Sequence, residues 1–558
     1  MRPMSQEAPE LTGRSRTLAG IEVGAMRPVP DEVPELTGRA RTLAGIGIGV
    51  VVAAGILLRF WTRSGLWLDE ALTVDVARLP LHEIPTALKH DGAPPLYYYL
   101  LHFWMDLFGQ SNDAVRSLSG VIAVITLPVG WLCGRRFGGR VVAWTMLVLL
   151  ASAPFAVYYA TESRMYALVI LETGLGFLAL QRAVAAPRPS NLVAVAVVTA
   201  ALLYTQYWSI YLVGMVAIWL VVSIVRTRRR GRPQDSPWAA LIAIGVGCLL
   251  FVPWLPTFLY QSRHTGTPWS APPNFSAVIN AVTGFTDNQG STLQTGTNQG
   301  RLLAVIYFAM LALALFGVGR DQRFIELDLR TQPRSRGTTF VVVGTLFAAI
   351  AGGIATQSAF SSRYAAVVFL PLLLLIALGT TTLLNPKVRV VLVALAAAAG
   401  LVSSAQNVTT QRTQANAVAA AINSEAKPGD VIAFCPDQLG PSVYRQLMNP
   451  SRYTMITFPR RTGPAIVNWV DYSQTVGAAS PGAFAADVLR RVPPGNHVWY
   501  VWQPMYQTYG IKCETIASDI ITTATKNGGG GRNVVINHIK RYYEPMNLTE
   551  FSPGPVTG

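Results

Sequence analysis

The chain has 558 residues, of which 51% are hydrophobic and only 13% charged, about half the charged share of a soluble domain. Its formal charge of +16 sits in short arginine clusters between long apolar runs, a pattern that membrane topology explains and nucleic-acid binding does not. A soluble enzyme and a nucleic-acid partner are therefore excluded, and a membrane protein of many spans is expected.

The N-terminus repeats itself: "MRPMSQEAPELTGRSRTLAGI" from Met1 is followed by "MRPVPDEVPELTGRARTLAGI" from Met26. The second copy runs into the first apolar segment, so residues 1–42 are expected to be a disordered cytoplasmic tail, with either Met1 or Met26 as the start. A cleaved signal peptide is disfavoured, because no small-residue cleavage site follows the apolar run. Eleven runs of span length follow, near 43–61, 114–134, 141–158, 166–184, 192–206, 208–225, 238–259, 301–319, 338–357, 364–384 and 388–404. With a cytoplasmic N-terminus, one alternation places "GRRFGGR" (134–140), "PRPSN" (187–191), "RTRRRGR" (226–232), the Arg-rich loop 320–336 and "NPKVR" (385–389) inside. The segment "PPLYYYLLHFWMDLFG" (94–109) is apolar but short and aromatic, which suits an interfacial or re-entrant helix.

Beyond residue 404 the composition becomes mixed. "KPGDVIAFCPDQLGPSVYRQL" reads as turn, strand, loop and helix, and "GNHVWYVW" as a second strand, so residues 405–558 are expected to form an extracytoplasmic α/β domain. Of four cysteines, Cys133 and Cys248 lie in apolar runs, and Cys435 and Cys513 are the pair able to form a disulfide on that side. "NGGGGR" (527–532) lacks the Lys-Ser/Thr of a phosphate loop and reads as a flexible loop.

The outer loops collect Asp69, Glu70, Asp75, His82, Glu83, His90, Asp91 and His102, then Glu162 and Arg164, then His264 and Asp287, and finally Arg363. Ionisable groups at a membrane boundary are costly and usually functional. A carboxylate pair, a His-Asp pair and two arginines suit transfer of a sugar from a lipid-phosphate donor: a carboxylate takes the acceptor's proton while cations stabilise the departing phosphate. Each residue also has an ordinary reading. Asp69 and Glu70 fit a helix start, Glu162 and Arg164 a surface ion pair, and Arg363 a snorkelling arginine.

At these residues the chain resembles the polyprenyl-phosphate-dependent glycosyltransferases of the C-type membrane fold, which include protein O-mannosyltransferases and aminoarabinose transferases. The resemblance runs over residues 43–404 through "LWLDEA" (66–71), "HDGAPPLYYYLLHFWMDLFG" (90–109), "YYATESRMYAL" (158–168), "LLYTQYW" (202–208), "VPWLP" (252–256) and "SSRYAAVVFLP" (361–371). It implies about eleven transmembrane helices and Asp69 as catalytic base with Glu70 beside it. From the outer-face set itself, His90, Asp91, Glu162, Arg164 and Arg363, with Tyr166 and Tyr364 among the belt aromatics, are the expected contacts to donor phosphate or substrate. Gln206 stands where relatives often carry His, so no histidine role transfers there. With "CPDQLGP" (435–441), the chain is most similar to actinobacterial envelope mannosyltransferases, among them the kind that caps lipoarabinomannan. The implied partners are a polyprenyl-phosphate sugar donor, a lipoglycan or protein acceptor, and membrane lipid; no obligatory cofactor or metal is implied. Arabinose or another lipid-linked sugar would leave the same signature. A flippase for a lipid-linked precursor, or an inactive scaffold, is the competing class.

Overall fold

A computed structural model describes residues 36–229, 236–267, 273–274, 276–287, 297–356, 358–538 and 541–554. Most of the expected N-terminal tail lies outside the described residues. Among those residues, eight helices are long and apolar enough to cross a membrane. Asn112–Ser152 is one of the eight, and its backbone leaves the helical region at Gly138 and Gly139, inside "GRRFGGR". Pro189–Thr205 and Ala366–Thr382 are apolar but shorter. Length and composition therefore give a multi-span bundle without fixing the count at eleven.

Every residue of Ala366–Gly379 is buried, which makes this the central helix of the bundle. Gly379 lets it press on its neighbour: an added Cβ there would stand 1.8 Å from the Met310 carbonyl oxygen, a small-residue contact typical of membrane helices. The first helix, Gly38–Leu58, lies at the rim with Gly55 as its buried residue. It is tied down at its end by Arg59, which donates to the carbonyls of Leu150 and Ala151 at 2.7 and 2.8 Å.

Between the first two long helices come three short ones, Leu68–Ala77, Ile84–Asp91 and Leu96–Phe108. The last, at 13 residues, covers about 20 Å at 1.5 Å per residue, too little to span a bilayer. A two-stranded hairpin, β1 (Gly317–Gly319) and β2 (Ile325–Leu327), closes the Arg-rich loop.

The C-terminal region is built on five strands: β3 (Val431–Cys435), β4 (Thr454–Thr457), β5 (Val498–Trp502), β6 (Gly530–Val535) and β7 (Asn547–Ser552), in the order β4-β3-β5-β7-β6. β3 pairs in parallel with β4 and β5, whereas β7 runs antiparallel to β5 and β6. Cys435 and Cys513 are disulfide-bonded and join the end of β3 to the helix Lys512–Lys526. The glycine stretch is not the expected loop. Gly530 and Gly531 belong to edge strand β6, and glycine is needed just before it because a Cβ at Gly529 would meet the Ser552 oxygen at 1.9 Å.

This region packs directly onto the short helices. Trp67 and Leu68 share a core with Cys435, Tyr472, Tyr509 and Cys513. Trp469 N–H donates to His90 O at 3.0 Å.

Candidate active site

The helix Leu68–Ala77 carries both carboxylates in its first turn, where acids favour the helix dipole. Its N-cap, Trp67, offers no side-chain cap. The orphan Leu68 N–H is taken instead by the Glu544 carboxyl at 3.1 Å. The Glu544 carboxyl also accepts from the Thr413 hydroxyl, and burial pushes it up to about 8 against hydrogen bonds from Thr413, Ser442 and Leu68 N–H.

Asp69 faces a cleft and is 18% exposed. Its Oδ2 accepts from Arg363 Nη1 at 2.8 Å and lies 4.0 Å from Arg164 Nη2. Arg164 is braced by Thr73 Oγ1 at 2.9 Å and reaches the Tyr98 hydroxyl at 3.4 Å, and Tyr98 donates to Asp91 Oδ2 at 2.9 Å. Asp91 is thus the far end of one chain of polar contacts that starts at Asp69. Burial raises its carboxyl above the usual range, although Arg164 pulls the other way. His90 and Asp91 end the helix Ile84–Asp91, and that end is held by Gln261, which donates to Leu88 O at 2.7 Å.

Arg363 stacks over the rings of Tyr364 and Trp67 at 5.2 and 5.9 Å. Tyr364 in turn lies parallel to Trp208, with centroids 5.2 Å apart. Tyr166 is fully buried beside Tyr159, and its hydroxyl has no hydrogen-bond partner among the described residues.

Glu70 does not stand beside Asp69 in the cleft. Successive helical residues point about 100° apart, and Glu70 is turned into the protein, fully buried. Arg116 grips it with two bonds, Nε to Oε1 at 2.7 Å and Nη2 to Oε2 at 2.6 Å, and Ser163 N–H adds a third at 3.0 Å. Burial acts to raise this carboxyl, but Arg116 and Arg412 outweigh it and hold it below the ordinary range.

Beneath the cleft, Arg412 lies 3.9 Å from Glu70 and 3.8 Å from Glu162, covers the Tyr158 ring at 4.0 Å and bonds Thr161 O at 2.9 Å. Glu162 is buried and, among the described residues, neither of its oxygens has a hydrogen-bond partner; burial raises it to about 7 despite Arg412. The site therefore has two layers. Asp69, Arg164 and Arg363 are partly open to the cleft, Arg164 reaches the buried Tyr98 hydroxyl and through it Asp91, and Glu70, Arg116, Glu162 and Arg412 form a buried charge network below.

Other outer acids and histidines lie elsewhere. Asp287 is buried against Thr297 and Ser403 at 3.1 and 3.0 Å, and His264 pairs with Asp471 at 3.1 Å. Among the described residues, no group of three His, Cys, Asp or Glu residues is placed to hold a metal ion.

The charge set in the cleft can accept a proton at Asp69 and neutralise an anion at Arg164 and Arg363. Arg116, Arg412, Tyr543 and Glu544 escaped the sequence reading. For the two arginines a signal existed, since the expected topology puts both at the end of the bundle where basic residues are scarce.

Residues 92–256 match the family model for dolichyl-phosphate-mannose-protein mannosyltransferase. No curated protein sequence matches the chain. Among solved structures, ArnT from Cupriavidus metallidurans in the apo state aligns with TM-score 0.54 at 13% identity, covering 92% of this chain and 98% of that one. The same ArnT bound to undecaprenyl phosphate gives 0.49 at 16% identity over 91% and 98%. Arabinosyltransferase EmbB from Mycobacterium smegmatis gives 0.36 at 15% over 90% and 42%. The likeness to apo ArnT shows a shared fold, the C-type membrane glycosyltransferase fold.

Proposed function

We propose that the protein transfers a sugar, mannose on our reading, from a polyprenyl-phosphate donor to a lipoglycan or protein acceptor at the outer face of the cytoplasmic membrane. The observation that carries this is the ion pair between Asp69 and Arg363 at 2.8 Å, open to the cleft and joined by Arg164. The family match over residues 92–256 supports the lipid-phosphate sugar as donor class. Orientation rests on charge: the Arg-rich connections lie at one end of the bundle's alternation and the cleft loops at the other. The disulfide in the C-terminal region favours the oxidising side.

The reaction is a single displacement with inversion. Both arginines engage Asp69 Oδ2, so Oδ1 takes the proton of an acceptor hydroxyl. The acceptor oxygen bonds to the anomeric carbon, and the bond from that carbon to the phosphate oxygen breaks. The lipid phosphate leaves with the electron pair, neutralised by the guanidinium forks of Arg363 and Arg164. Glu70, Arg116 and Arg412 form a buried ion network that contributes to the stability of the fold beneath the Asp69 helix.

Transfer from a polyprenyl-phosphate sugar by the purified chain in liposomes tests this reading. Asp69→Asn, which keeps the shape and removes the base, should lose at least about 10²-fold in kcat with donor binding retained; full activity would overturn the assignment.

A further inference from the structure

Just before Glu544, Tyr543 leaves 65% of its surface open. It nevertheless stands edge-on to Trp67, with ring centroids 4.9 Å apart, and near enough to Arg363, Asp69, Glu162 and Tyr364 for their charges to act on its hydroxyl. This exposure is built in. The next residue is fixed on both sides of its backbone: Glu544 N–H donates to Arg412 O at 2.8 Å, and Gln414 N–H donates to Glu544 O at 3.0 Å. Its side chain is clamped on Leu68 N–H at 3.1 Å. A rigid aromatic ring held open at the mouth of a charged cleft leaves apolar surface in water that a ligand would cover.

We propose that Tyr543 is the acceptor platform, stacking on the sugar ring at the terminus of a glycan and directing its hydroxyl to Asp69. This rests on the sugar-transfer reading and narrows its acceptor to carbohydrate. Two observations favour a glycan over a polypeptide. A sugar ring has an apolar C–H face that fits an aromatic plane and a hydroxyl rim that fits the neighbouring Asp69 and Arg363. A peptide bound in extended form needs free backbone partners along the wall, and here the wall's backbone groups at Arg412, Gln414 and Glu544 are bonded to one another.

The test uses the full chain in nanodiscs, with methyl α-glycosides of mannose and arabinose, their α-linked disaccharides, and a Ser/Thr-rich peptide as probes. Binding is read by saturation-transfer NMR without donor, and transfer is read separately with a polyprenyl-phosphate sugar. The expected result is glycoside binding that weakens about tenfold in Tyr543→Ala, the size of one aromatic contact, and survives in Tyr543→Phe, with donor KM and thermal stability unchanged in both. Glycoside binding unaffected by Tyr543→Ala, binding of the peptide alone, or binding of neither probe would overturn the platform. Glycoside binding lost in Tyr543→Ala without any transfer by the unaltered chain would support the platform and remove the transfer reading instead.

Discussion

On a helix with 3.6 residues per turn, a step of one residue turns a side chain by about 100°, and at positions 69 and 70 that step separates chemistry from architecture. Asp69 meets solvent and two arginines, while Glu70 is locked on Arg116 inside the protein. Their variants should fail differently. Glu70→Gln leaves the Arg116 charge buried without its partner, a change that costs about 3–5 kcal/mol in comparable buried pairs. Thermal unfolding should therefore fall sharply, while transfer per folded molecule keeps most of its rate; a variant as stable as the parent but inactive would return Glu70 to the reaction. The sequence showed Asp69, Arg164 and Arg363 because charge is rare in such a chain and each lies at the end of an apolar run. It hid Arg116 as the partner of Glu70, because an arginine at a span boundary reads as a topology signal and its carboxylate lies 46 positions away.

The helix Leu68–Ala77 depends on a carboxyl from the far end of the chain. Glu544 is raised by burial from 4.5 to about 8, so it clamps Leu68 in its protonated form at neutral pH. A raised carboxyl contributes stability that is complete below about 4.5 and is lost as pH rises through about 8. Glu544→Gln, neutral throughout, should match the parent at acid pH and outlast it progressively towards pH 8 and above, as read by thermal unfolding of the two chains. A constant difference across that window would exclude the neutral clamp. Short apolar runs bounded by turn residues were legible: β3 and β5 fall on the expected "VIAFC" and "VWYVW". Edge strand β6 was not, because its glycines answer to the closeness of Ser552 and Phe551, which no local pattern announces. The break at Gly138 and Gly139 sits inside the expected "GRRFGGR" connection, but helix continues almost to it from either side.

At the scale of the molecule, the proposed orientation makes a paired prediction. Met448 is 79% exposed in the C-terminal region and Leu329 is 87% exposed in the Arg-rich loop. A cysteine at Met448 should react with a membrane-impermeant maleimide on intact cells, and a cysteine at Leu329 only after the membrane is opened. The reverse pattern would move the cleft to the cytoplasm and take the lipid-linked donor argument with it. The multi-span bundle and the mixed region after it were legible from composition; their mutual dependence was not, because Trp67 and Leu68 look like the end of a loop until the core of the C-terminal region closes on them.

The clamp on Leu68 also has a consequence in time. Glu544 lies 476 residues downstream of the amide it caps, so a ribosome completes the membrane bundle and most of the sheet before that carboxyl exists. Until the strand-bearing region has folded onto the short helices, the helix holding Asp69 lacks its cap and the cleft lacks a wall. The helix that holds Asp69 thus gains its cap only near the end of synthesis, and a partly made chain carries the charges of the site without their final arrangement.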